Sequence, residues 1–279
     1  MIKQFKIGDF IFEITYPDKM LLPEHFMIFE TENQPAAYHY EIILSDRFPQ
    51  PDGVMTARRP DLLVYCSGDR EIRYLGVKGV RGYYACCKEI NENCSQIYLS
   101  TQYGVGLHVD PMFVSLFALE RRMFSYDSMI LHCAYLRHGK EAILFSAPSG
   151  TGKTTQATLW EKYRQSETIN GDRALLRKID GQWYACGWPV CGTSGICQNK
   201  EMPIRAIVML SQGKENHVER LSVVRAFSLV YPQITINGWN ERDCKKIMGL
   251  IEELITDVPV YHLSCTISEE AVKCLEQSL

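Results

Sequence analysis

The residues with the clearest chemical content lie near the middle of the chain, in Ala147-Pro148-Ser149-Gly150-Thr151-Gly152-Lys153-Thr154. Glycines at 150 and 152 permit backbone conformations in which successive N–H groups turn inward, and a following helix N-terminus adds its own free N–H groups. Such a loop cradles the β- and γ-phosphates of a nucleotide, with Ser149, Gly150, Thr151, Gly152 and Thr155 as the binding residues along it. Lys153 brings a point charge to the phosphates, and Thr154 offers a hydroxyl to Mg²⁺. ATP and Mg²⁺ are the cofactors this pattern predicts. Ala147 stands first where glycine is usual, a change that costs backbone freedom but adds only one methyl group.

The pattern acts as a site only if a strand leads into it and a helix leaves it. SMILHCAYL and EAILFSA read as strands joined by the turn-forming Arg137-His138-Gly139-Lys140, and KTTQATLWEKYRQ is rich in helix formers. The order strand, glycine loop, helix follows. Downstream, SETINGDRALLRKIDGQWYACGWP reads as two strands around the tight-turn pair Asp180-Gly181, and PIRAIVMLSQ as a buried strand. Residues 240–256 form an amphipathic helix with Ile247, Leu250, Ile251, Leu254 and Ile255 on one stripe. VPVYHLSC is a strand, and a closing helix follows it, with Thr266 and Glu269 as a capping box.

Phosphoryl transfer also needs a carboxylate, and motor, transport and switch NTPases carry it at the end of an apolar strand. None is evident here. The nearest acid is Asp172 in Ile169-Asn170-Gly171-Asp172-Arg173, nineteen residues after Lys153. It is a candidate general base and metal ligand, with a plain turn residue as the alternative. Arg173 is either a phosphate clamp or a surface cation. His132, between Leu131 and Cys133, reads as a hydrogen-bonded strand histidine or as a proton-carrying group. Neither an LSGGQ-like segment nor a guanine-reading N-K-x-D is present.

Composition narrows the partners. The chain has 279 residues, 46% apolar and 23% charged, with net charge −3, which leaves no basic field for nucleic acid or an anionic membrane. Eleven cysteines occur without a C-x-x-C pair, and residues 1–16 alternate like a strand instead of forming a secretory leader. Reduced thiols and a cytoplasmic location are expected, and zinc at Cys186, Cys191 and Cys197 is disfavoured by their spacing. Up to about residue 105, short apolar runs separated by turn residues predict an antiparallel sheet that serves as support, lid or docking surface. A helix over 111–124, with Asp110 as N-cap and Pro111 in its first turn, comes next. The predicted fold is α/β, with a mostly antiparallel β domain over 1–108 and a nucleotide-binding domain over 109–279.

From about residue 128 onward the sequence resembles the HPr kinase/phosphorylase branch of the phosphoenolpyruvate carboxykinase-like P-loop proteins, in particular its small stand-alone members. The resemblance rests on His132, the glycine loop, Asp172-Arg173 at the place of the family's Asp-Asp-Arg, Gly187-Trp188-Pro189-Val190-Cys191-Gly192, Asn199 ahead of Pro203 and AIVML, and PVYHLSC. It implies a P-loop kinase domain in which His132 and Asp172 lie near the transferred phosphate and the acid helps to hold metal. Gly171 departs from the family by replacing the first acid, P-G-R-N is missing before AIVML, and Thr193-Ser194 stand where relatives often have Lys-Glu. The reading reached is an ATP-dependent phosphotransferase acting on a hydroxyl, whether of a Ser or Thr in a peptide or protein or of a small metabolite. Homo-oligomer formation is left open. Two alternatives stand beside it, a nucleotide-binding regulatory protein without catalysis and a carboxykinase-like enzyme drawing on Arg173 and Arg205.

Overall fold

The computed structural model describes residues 1–279 and divides into two units, Met1–Arg122 and Met123–Leu279. Together they make a mixed α/β protein with two large sheets and seven helices. No helix is long and apolar enough to cross a membrane.

In the first unit the apolar runs fold into strands β1 (Ile2–Ile7), β2 (Phe10–Thr15), β3 (Glu30–Thr31), β4 (Tyr38–Leu44), β5 (Val54–Arg58), β6 (Leu62–Ser67), β7 (Arg70–Gly76), β8 (Tyr83–Asn91) and β9 (Cys94–Leu99). They form one sheet in the order β3-β1-β2-β4-β9-β8-β7-β6-β5, antiparallel except for the β2–β4 and β4–β9 pairs. Alternate residues of β2, Phe10, Phe12 and Ile14, are buried, as a half-covered sheet requires. A short helix α1 (Glu24–Met27) and two more, α2 (Asp110–Ser115) and α3 (Leu119–Ser125), supply the cover.

Those last two helices correct two expectations. The segment 111–124 is not one helix, because the chain breaks at Ala118, whose φ of +48° is left-handed. Nor does the first unit end at residue 108. Phe117 stacks on Phe26 and Phe113 meets it edge-on, and the Tyr40 hydroxyl donates to the Phe117 carbonyl at 2.9 Å, which binds the segment to the first sheet as far as Arg122. Asp110 is the first residue of α2 instead of its N-cap; its carboxylate lies 2.7 Å from His25 Nδ1.

The second unit contains β10 (Met129–His138), β11 (Glu141–Ser146), α4 (Lys153–Arg164), β12 (Glu167–Asn170), β13 (Arg173–Ile179), β14 (Gln182–Cys186), β15 (Glu201–Gln212), β16 (His217–Arg220), α5 (Val223–Val230), α6 (Glu241–Asp257), β17 (Val260–Cys265) and α7 (Glu269–Glu276). Pairings β10–β13, β13–β14, β14–β15, β15–β11 and β11–β10 close a ring, and β15 continues in parallel to β17. Both faces of the central strands are covered. Leu131, Cys133 and Tyr135 of β10 face a core completed by α5 and α6, while Ala134 and Leu136 face one completed by α4 and α7. The five α6 residues expected on its apolar stripe are its buried ones, and Asn240 caps that helix by accepting from Asp243 N. The closing helix differs: its N-cap is Ser268, which accepts from Ala271 N, and Thr266 instead bonds Asn216 and Ser268.

Candidate functional site

Strand β11 runs into the glycine loop at Ser146, and α4 leaves it at Lys153. Gly150 and Gly152 have φ of +80° and +117°, and a Cβ at either would meet nothing within 4 Å, so backbone conformation and not crowding calls for glycine. Ala147 fits because its methyl is buried in the core under α4, beside Ala157 and Trp160. Its carbonyl accepts from Lys153 Nζ at 2.9 Å, with the Pro148 carbonyl at 3.4 Å. Burial lowers the Lys153 pKa, against the opposing pull of Asp172. Thr151 Oγ1 donates to the Pro148 carbonyl at 2.9 Å, while Ser149, Gly150 and Thr154 are exposed.

Asp172 comes from the turn between β12 and β13. Asn170, fully buried, shapes that turn: its Oδ1 accepts from the N–H groups of Asp172 and Arg173, both at 2.9 Å, and its Nδ2 donates to the Trp188 carbonyl at 2.8 Å. The backbone carbonyl of Asp172 accepts from Cys133 N at 3.0 Å. The Asp172 carboxylate lies 3.4 Å from His132 Nε2 and 3.3 Å from Arg173 Nε. Register explains the grouping, since His132 of β10 pairs with Arg173 of β13. Burial opposes ionisation of Asp172, but the His132 hydrogen bond and the charges of Arg173, His132 and Lys153 outweigh it and lower its pKa.

His132 is thus a close neighbour of the Asp172 carboxylate and not a core histidine, with 26% of its side chain exposed. Two residues that the sequence reading missed hold the far sides of this group. Gln233 Oε1 is 3.4 Å from His132 Nδ1, and Thr235 Oγ1 accepts from Arg173 Nη1 at 2.8 Å. Their segment is stitched to β10 by the Leu131–Ile234 bridge. Arg205 stands elsewhere: it pairs at 3.5 Å with Glu141, at the end of β11 away from the glycine loop. That removes one of the two arginines on which the carboxykinase-like alternative drew.

Beside the loop opens a cleft of about 530 Å³, lined by Gly152, Thr155, Gln156, Gln212, Thr266 and Ile267 among others. It lies at the carboxyl ends of the parallel strands β11, β15 and β17. Gln156 is 2% exposed and its Nε2 donates to the Thr266 carbonyl at 3.3 Å, tying α4 to the segment after β17. Ile267 is 78% exposed at the cleft. Gly152 and Thr155 follow from the loop pattern, but Gln156, Gln212, Thr266 and Ile267 do not, because they meet the loop only through the strand order.

No family model and no curated protein matches the chain. Among solved structures, the Hpr(Ser) kinase/phosphatase from Coxiella burnetii overlaps 53% of this chain and 95% of its own, at 9% identity and a TM-score of 0.33. An overlap at that score carries no inference about activity, so the chemical reading rests on the side chains themselves.

Proposed function

We propose that the second unit is an ATP-dependent phosphotransferase domain that moves the γ-phosphoryl group to a hydroxyl. The observation that carries this reading is the gathering of Lys153, Asp172, His132 and Arg173 beside a glycine loop with exposed Ser149, Gly150 and Thr154. The loop N–H groups and Lys153 take the β- and γ-phosphates, and the cleft beside Thr155 and Gln156 takes the nucleoside. A carboxylate and an exposed hydroxyl are hard oxygen donors of the kind Mg²⁺ prefers, so Asp172 and Thr154 fit that ion. Bound there, Mg²⁺ would neutralise charge on the phosphate oxygens. Asp172 accepts the proton of the acceptor hydroxyl, while His132 and Arg173 keep its carboxylate ionised. Arg173 also supplies positive charge toward the transferred group.

Position 171 favours a second reading, a nucleotide-binding regulatory protein, since the turn offers one carboxylate and not two. Asp172→Asn separates the readings. Transfer of label from γ-labelled ATP into peptides, proteins or metabolites of an extract should fall by about 10² to 10⁴, the scale of a general base. ATP affinity should change far less. Label transfer that survives the substitution removes Asp172 from the mechanism, and tight ATP binding without any labelled acceptor supports the regulatory reading.

A further inference from the structure

The turn that carries Asp172 is held from one side by a second loop. Residues Gly192–Ser194 form a single helical turn between Cys191 and Gly195, and it meets the Asp172 turn where two glycines face it with no room to spare. A Cβ added to Gly171 would fall on Oγ and Cβ of Ser194. One added to Gly192 would lie 3.0 Å from Asp172 Cβ and 3.1 Å from its Cγ and Oδ1. Ser194 itself has little freedom, because its Oγ donates to the Cys191 carbonyl at 2.7 Å and accepts from Ile196 N at 3.2 Å. The same loop is tied to the strand before Asp172: Asn170 pairs with Cys197, and Gln198 N donates to the Ile169 carbonyl at 3.0 Å.

We propose that Ser194, seated on the bare Cα of Gly171, is a positioning residue for Asp172, and that positions 171, 192 and 194 form one interlocked unit. The proposal rests on the reading of Asp172 as the carboxylate of the phosphate site. Its consequence is that residue 171 is glycine because Ser194 fills the space a side chain there would need. An acid cannot be introduced at 171 without moving the loop. The Ser194 hydroxyl is engaged within its own turn, so the residue acts through Asp172 and not through substrate.

The test uses the full chain in four forms: the parent, Gly171→Ala, Ser194→Gly and the double variant. Two quantities are read, the melting temperature without ligand and the gain in ATP affinity that Mg²⁺ confers, by calorimetry. Gly171→Ala should melt lower than the parent. Each single variant should lose about tenfold or more of the Mg²⁺-dependent gain, the usual effect of disturbing a residue that orients a metal ligand, with metal-free ATP binding unchanged. Ser194→Gly only removes bulk from a half-buried turn, so it keeps the fold and remains informative if Gly171→Ala does not. In the double variant the new methyl takes up volume that the serine leaves, and both quantities should recover toward the parent. A Gly171→Ala protein that melts like the parent, or a Ser194→Gly protein with the full Mg²⁺ gain, overturns the proposal. Failure of the parent to bind ATP would instead remove the nucleotide reading, and the melting comparison, which needs no ligand, then decides the interlock alone.

Discussion

Each unit gathers charged side chains, and the two gatherings are built differently. In the first, Arg73 lies 2.7 Å from Glu71 and 2.5 Å from Glu120 with 6% of its side chain exposed. Arg121 spans Glu89 at 2.9 Å and Glu71 at 3.3 Å, and Arg122 also reaches Glu89. Burial opposes the Arg73 charge, but Glu120 and Glu71 outweigh it and raise its pKa. In the second unit Asp172 is 25% exposed and stands 3.3 to 3.4 Å from its partners. Close, buried pairs use their hydrogen-bonding capacity on one another and hold α3 to the sheet. Longer, half-exposed pairs leave lone pairs and donors for a ligand. Charge clustering alone therefore does not mark a site; the spacing and exposure of the cluster do.

The largest effect separating the two is on folding. Arg73→Ala takes a buried cation from Glu71 and Glu120, leaving Glu71 to Arg121, and should cost about 3 kcal/mol, whereas Asp172→Asn should cost less than about 1 kcal/mol. Urea unfolding followed by circular dichroism measures both. All four tryptophans lie in the second unit, so their fluorescence reports that unit separately. If the Arg73 network serves only its own unit, Arg73→Ala shifts the dichroism transition and leaves the fluorescence transition in place. A smaller loss from Arg73→Ala than from Asp172→Asn would reverse the comparison.

The cleft should show a more modest effect. Ile267→Ala removes apolar surface from the proposed nucleoside contact and should weaken ATP binding about fivefold, near 1 kcal/mol. Binding of inorganic triphosphate should not change. Equal loss for both ligands would mean that Ile267 supports the loop and not the nucleoside.

The smallest effect is on acid stability. Because the Asp172 pKa is lowered in the folded state, its ionised form favours folding above the unfolded value near 4. That contribution is lost as pH falls through the folded value. Asp172→Asn should therefore lose slightly less stability between about pH 5 and pH 2 than the parent does. The cations of the first unit predict no such difference for Asp172.

Local chemistry made the glycine loop, the Asp180-Gly181 hairpin and the α6 stripe legible in the sequence, because each depends on residues close together in the chain. Elements with little burial left no comparable pattern. Strand β5 sits at a sheet edge with Val54 71% and Met55 47% exposed, so it shows no alternation to read. Strand β16 and helix α5 also lay outside the pattern, as did the left-handed Ala118 that splits the helix expected over 111–124. The supports of the site were hidden for a different reason. Gln233 and Thr235 reach His132 and Arg173 across 101 and 62 residues of chain, and Ser194 reaches Gly171 only because β13, β14 and the following loop fold back. In the sequence Gly171 reads as an acid lost; in the structure its space belongs to Ser194.

The central claim is that the loop from Ala147 to Thr154 binds nucleotide phosphates with Lys153 at its centre. Melting of the parent and of Lys153→Ala with and without millimolar Mg-ATP tests it most directly. A ligand that binds only the folded state stabilises it by about 2.7 kcal/mol at a hundredfold excess over Kd. The parent should therefore melt several degrees higher with Mg-ATP, and Lys153→Ala should lose most of that shift while still folding. An unchanged melting curve for the parent, or a shift that Lys153→Ala retains in full, would contradict the account.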